Sequence, residues 1–184
     1  MDSIQLLKSW GVNTSSSDYI PEYLLKTNPD SCYFIDSLPF VVPKQYASKF
    51  DQIENEFKMQ FSKKYNNIIK KLWLYNDTFL ESEMLVQKHI QNKILNINKN
   101  SKLCFDNIFL NSNQPNLIYI QRLDDLQLLL QLCNDDLIDA SIFFEQYQLM
   151  LVPSWSCYFV YMNDTTKLKL LEKIVNVEGL YLRK

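Results

Sequence analysis

Glycine occurs only at Gly11 and Gly179 in this 184-residue chain. Almost no position can therefore take positive φ without strain, so asparagine and aspartate must serve most tight turns. Glycine-rich phosphate loops are excluded, and so is the nucleophile elbow at Ser154-Trp-Ser156, which lacks its flanking glycines. Histidine occurs once, as His89 in a lysine- and glutamine-rich stretch that reads as surface. Cys32, Cys104, Cys133 and Cys157 lie far apart with no C-x-x-C pair and no nearby histidine, so zinc-ligand and redox spacings are absent. They read as reduced, buried thiols. The start, Met1 to Trp10, lacks the basic flank and apolar run of a signal peptide, and no run approaches the ~20 apolar residues needed to span a bilayer. Together these features predict a cytoplasmic protein with no cofactor, no metal and no membrane association.

Charge is uneven. From Leu123 to Thr166 there is no lysine, arginine or histidine, yet Asp124, Asp125, Asp135, Asp136, Asp139, Glu145 and Asp164 fall there. That segment carries −7 and the remainder +5, for a net −2. It also holds Phe143, Phe144, Tyr147, Trp155, Tyr158, Phe159 and Tyr161. Carboxylates beside aromatics are suited to docking a basic partner.

Apolar content of 47% is ample for one packed core, and no repeat or low-complexity linker divides residues 1–184, so a single domain is expected. Asp2 or Ser3 is placed to cap a short helix burying Ile4, Leu7 and Trp10, with Gly11 past its end. A second short helix carries Pro21 in its first turn and stops at Asn28-Pro29. Cys32 to Val42 reads as extended, and Pro39 and Pro43 mark it as an edge strand or irregular ribbon. From Lys44 the spacing of Tyr46, Phe50, Ile53, Phe57, Phe61, Tyr65, Ile68 and Leu72 predicts one long amphipathic helix. It either continues through Trp73-Leu-Tyr75 or gives way there to a short strand. Thr78 is placed to cap another helix carrying Leu80, Met84, Ile90 and Ile94. Beyond it, Leu103 to Leu110 and Leu117 to Gln121 read as strands, Asp124 to Cys133 as a helix, and Phe143 to Tyr161 as a hairpin broken at Pro153-Ser154. A last helix capped by Thr165 or Thr166 ends at Gly179, before a strand Leu180 to Leu182. The fold class is α+β: a helical N-terminal half with long amphipathic helices, then an antiparallel sheet with helices.

The candidate site residues are Asp124, Asp125, Asp135, Asp136, Asp139 and Glu145 as a partner-binding acidic face, with Trp155 or Tyr158 as aromatic anchor. Asp124 and Asp125 also suit a helix N-terminus. Asp135, Asp136 and Asp139 share a face if the chain turns helical again. A hard-cation site is disfavoured because no D-x-D-x-D-G loop occurs. A solvated acidic face is the ordinary reading of the same carboxylates, and a core position the ordinary reading of Trp155. Lys63, Lys64, Lys70 and Lys71 repeat at a seven-residue interval beside Tyr65 and Trp73, which would suit phosphate tracking. The wet face of a helix is the simpler account, and a pI near 5.4 argues against nucleic acid.

The C-terminal third, with Phe143-Phe-Glu-Gln-Tyr147, Trp155, Tyr161-Met-Asn-Asp164 and Gly179-Leu-Tyr-Leu-Arg183, resembles the small α+β immunity proteins of bacterial contact-dependent and polymorphic toxin systems. The resemblance transfers no functional residue. It implies a bacterial, cytoplasmic, non-enzymatic inhibitor that binds a cognate toxin domain, and an acidic aromatic face suits a basic, nucleic-acid-cleaving toxin. The competing classes are an enzyme whose carboxylates meet only in the fold, and a bacterial effector scaffolding host proteins.

Overall fold

The computed structural model describes residues 2–14, 20–97, 117–153 and 157–184, apart from the side chains of 53–55, 57–58, 86 and 96–97. The expected strand at Leu103 to Leu110, together with Cys104 and Trp155, lies outside the described residues.

The chain is α+β, built on a seven-stranded antiparallel sheet of order β3-β2-β4-β5-β6-β1-β7. The strands are β1 (Cys32–Asp36), β2 (Thr78–Glu81), β3 (Leu117–Tyr119), β4 (Ser141–Phe144), β5 (Leu149–Val152), β6 (Cys157–Met162) and β7 (Tyr181–Arg183). The helices among them are α1 (Ser3–Ser9), α2 (Ile20–Thr27), α3 (Ala47–Trp73), α4 (Lys88–Ile97), α5 (Leu123–Asn134) and α6 (Leu168–Val177).

Side chains alternate across a strand, so the strands inside the sheet feed two separate cores. Tyr33, Ile35, Leu80, Ile142, Phe144, Leu149, Leu151, Tyr158 and Val160 pack with α3, α4, α5 and α6 on one face. Cys32, Phe143, Met150, Val152, Phe159 and Tyr161 pack on the other face against Leu6, Leu7 and Trp10 of α1 and Leu24 of α2. The sheet is therefore the middle of three layers. Covering both faces explains why β5 reads as an unbroken apolar run, with all four residues buried.

Local signals decide how the helices start and stop. Asp2 and Gln5 form a reciprocal capping box, Gln5 N–H donating to Asp2 Oδ1 at 2.7 Å and Asp2 N–H to Gln5 Oε1 at 3.0 Å. Gly11 (φ 84°) and Gly179 (φ 69°) close α1 and α6 in the same way. Gly11 N–H donates to Lys8 O and Val12 N–H to Leu7 O; Gly179 N–H donates to Asn176 O and Leu180 N–H to Val175 O.

Several sequence expectations are corrected. The strand at Cys32 ends at Asp36, well before Pro39, and lies inside the sheet between β6 and β7 rather than at an edge. The sheet is not confined to the C-terminal half, since β1 and β2 precede it. Thr78 opens a strand instead of capping a helix. The Asn76 carboxamide donates to Leu72 O at 2.7 Å, closing α3, and the β-branched Thr78 then enters the sheet fully buried. Ser82 is the cap of the next turn, its hydroxyl accepting from Met84 N–H at 3.3 Å. The long helix is present and includes Trp73, and Tyr65, Ile68 and Leu72 are core. Phe61 is half-buried and Tyr46 exposed, while Ile53 and Phe57 are among the side chains outside the description. Two hairpins, β4–β5 and β5–β6, replace the single one expected from Phe143. Asp164 caps the turn before α6, accepting from Thr166 N–H at 3.1 Å.

Candidate functional site

Helix α5 forms where Leu126, Leu129, Leu130 and Leu132 supply a buried stripe. It ends as α1 and α6 do, but without glycine: Asp136 takes the left-handed position (φ 54°). Asp136 N–H donates to Cys133 O at 3.1 Å and Leu137 N–H to Leu132 O at 2.9 Å. Aspartate is among the few residues that tolerate this region. Asp135 is the residue before it, at the end of the last turn, and is exposed. Asp139 follows, exposed, just before β4. Asp135 and Asp136 are placed by a helix stop and Asp139 by the link to β4, not by the further helical turn that their spacing suggested.

The other predicted residues separate from them. Asp124 is exposed at the opposite end of α5, ~16 Å away at 1.5 Å per residue, and pairs with Arg122 at 3.4 Å. Asp125 points inward, 5% exposed, with Oδ1 lacking a hydrogen-bond partner. Glu145 lies past the far end of β4 from Asp139, where its N–H donates to Asp77 O at 3.0 Å. That sheet end is a polar knot. Tyr119 Oη donates to Asp77 Oδ1 at 2.6 Å and Gln146 Nε2 to Oδ2 at 2.5 Å, which lowers the Asp77 carboxyl pKa below its ordinary range. The same bond raises the Tyr119 hydroxyl.

Tyr158 is not a surface anchor. It is 5% exposed and stacks on Tyr65 of α3, rings 4.2 Å apart and 12° from parallel. Burial, and secondarily the neighbouring Cys133, push its hydroxyl pKa up. Cys133 itself is pushed up to about 12 by burial and by Asp139, and Cys32 up to about 11 by burial. Both are free thiols, and among the described residues no group of histidine, cysteine and carboxylate side chains is arranged to hold a metal ion. No helix among them is long and apolar enough to cross a membrane. His89 is exposed on α4.

What Asp135 and Asp136 do share, without Asp139, is the rim of an open groove of about 700 Å³. Its α3 wall presents Met59, Ser62, Lys63, Asn66, Asn67 and Lys70; its α5 wall presents Gln127, Leu130, Gln131, Asn134, Asp135 and Asp136. Trp73 Nε1–H donates to Ile120 O at 3.0 Å, fixing the end of α3 beside the start of α5. The helices thus run antiparallel, so Asp135 and Asp136 lie toward Met59 and Gln127 lies toward Lys70. The four lysines of the seven-residue interval divide. Lys63 and Lys70 face the groove, Lys71 binds Glu178 at 2.5 Å, and Lys64 lies over the Phe61 ring at 5.6 Å. Asn67 also donates to Glu178, at 3.0 Å. Burial opposes ionisation of Glu178, but the bonds from Lys71 and Asn67 outweigh it and its pKa is lowered.

Sequence reading found Asp135, Asp136 and the lysines but missed Ser62, Asn66, Gln127, Gln131 and Asn134. Their only signal was polar residues at i, i+4 spacing on two helices, which reads as solvated surface. Compared with protein-family models, curated proteins and solved structures, the chain shows a match to none.

Proposed function

We propose that this protein is a non-enzymatic binding module, an immunity-type inhibitor that neutralises a basic toxin domain through the acidic C-terminal end of α5. One observation carries the reading. Asp135 and Asp136 sit at the end of a helix whose dipole is partially negative there, no basic residue occupies its last turn, and Asp139 follows in the link to β4. Asp136 in addition holds a left-handed backbone where the other two such stops use glycine. Local stability is poorly served by this arrangement, and charge complementarity to a cationic partner accounts for it. Tyr158, buried against Tyr65, plays no part in this surface, and Asp124, Asp125 and Glu145 lie away from it.

A carboxylate-based enzyme is the weaker reading. Among the described residues the carboxyl displaced upward is Glu81, raised mainly by burial and held by the Ser3 hydroxyl on the α1 side of the sheet, away from the groove.

The test is co-expression with toxin domains encoded beside this gene. The expected result is restored growth and a complex whose association rate falls steeply with salt and falls again in the Asp135→Lys, Asp136→Lys, Asp139→Lys variant. Unchanged kinetics in that variant from low to high salt would refute the acidic mechanism.

A further inference from the structure

Two helices packed side by side normally close their seam with interdigitating apolar side chains. The α3–α5 seam does not close. Leu130 lies at its floor, and above it the walls carry Ser62 and Asn66 opposite Gln127, Gln131 and Asn134. None of these five side chains makes a hydrogen bond to another described residue, and Asn66 Oδ1 is buried without a partner. Asn66 and Asn134 are half-buried, where polar groups are ordinarily satisfied. With the exposed Gln127 and Gln131 beside them, they line one groove with donors and acceptors open to a complement.

We infer that this groove seats an extended peptide segment of the partner protein, with a lysine or arginine of that segment directed at Asp135 and Asp136. The inference rests on the protein-binding reading above and specifies what is bound. Each carboxamide offers a donor and an acceptor in one plane, and an extended backbone offers one of each per residue. The α3 wall from Met59 to Lys70 spans ~16 Å, matching about five extended residues at 3.3 Å each. The ends differ in charge: Asp135 and Asp136 stand at the Met59 end, with Lys63 on the wall opposite, and Lys70 alone at the other, so the groove sets a direction for the segment. Single-stranded nucleic acid is the poorer occupant, because its bases need aromatic platforms that the lining lacks and its phosphates meet Asp135 and Asp136. A glycan offers hydroxyls but no cation for the acidic end.

A randomised linear peptide library panned against the whole protein tests this, with selected peptides measured by fluorescence anisotropy. Enrichment of peptides containing lysine or arginine is expected. Their affinity should fall about tenfold or more in the Gln127→Ala, Gln131→Ala, Asn134→Ala variant, which circular dichroism should show folded because alanine favours helix. Asp135→Asn should weaken basic peptides and spare the same peptides with their basic residue replaced. The side-chain amide resonances of Asn66, Gln127 and Gln131 should shift on titration. Failure to enrich any peptide, full binding by the alanine variant, or preferential binding of neutral glycans on an array would each overturn the inference. A toxin domain bound with unchanged affinity by the alanine variant would also overturn it, while leaving the immunity reading standing. Peptides held in the groove with no toxin neutralised would support it and count against immunity.

Discussion

Replacing Asp135 with lysine should make the protein more stable while making it a poorer binder. Asp135 ends the last turn of α5, exposed and with no side-chain hydrogen bond or ion pair to a described residue. A carboxylate there opposes the helix dipole by about 0.3 to 1 kcal/mol, and a cation gains a similar amount. The gross change is about 0.6 to 2 kcal/mol. Lys63 on the opposite groove wall works against the new cation and Asp136 beside it works for it, so ~1 kcal/mol is the expected net gain at low salt. For a chain of this size that is about 2 to 4 °C in Tm. Urea denaturation at low ionic strength and again at ~1 M salt separates the cause, because the Debye length shrinks to about 3 Å and the electrostatic part should collapse. Asp135→Asn should recover about half the gain. A variant that is no more stable at low salt, or equally stabilised at high salt, would refute the argument that this carboxylate is misplaced for folding. The reading of the α5 stop as a binding surface would lose its support with it.

Tyr158→Ala should cost ~3 to 5 kcal/mol by chemical denaturation, since it empties the stack against Tyr65; a loss below ~1 kcal/mol would mean the ring is outside the core. Glu178 has a folded pKa below its ordinary 4.5, so its contribution is complete above that value and lost as pH falls through the folded one; Lys71→Ala should flatten this acid limb of the stability curve. Glu81 has the opposite sign, raised above 4.5 by burial, so the neutral form suits the fold and stability is lost as pH rises through the folded value. Glu81→Gln should therefore stabilise the protein near pH 7 and change little near pH 3, and equal effects at both would show that the carboxyl is solvated. Gly179→Ala should cost ~1 kcal/mol, because φ is 69° and the added methyl meets nothing closer than Lys64 Nζ at 3.5 Å, leaving backbone strain as the sole penalty. Cys32, buried and with its thiol pKa raised, should not react with a thiol reagent until the protein unfolds.

Sequence alone determined what depends on near neighbours. The period of Tyr65, Ile68 and Leu72 specifies α3, Gly11 and Gly179 stop α1 and α6, and the scarcity of glycine hands left-handed positions to other residues, to Asp136 as expected and also to Gln148 (φ 44°), which was not. The α+β class followed from the same local signals, because helix and strand periods differ and each shows within a few turns or residues. Burial of Tyr158 was not legible in this way. A strand covered on both faces gives no alternation to tell in from out, and only the order β5-β6-β1 under α3 fixes which side the ring takes. The place of β1 inside the sheet was hidden for a similar reason, since Pro39 bears on the chain after the strand and not on the pairing of Cys32 to Asp36. The seven acidic residues of the middle segment were countable but not mappable: the length of α5 carries Asp124 away from Asp135, and a core-facing turn takes Asp125 inward. The groove belongs to tertiary structure altogether. Ser62 and Asn66 are more than fifty positions from Gln127 in the chain, and only the antiparallel docking of α3 on α5 turns two wet helix faces into opposing walls with Asp135 and Asp136 at one end.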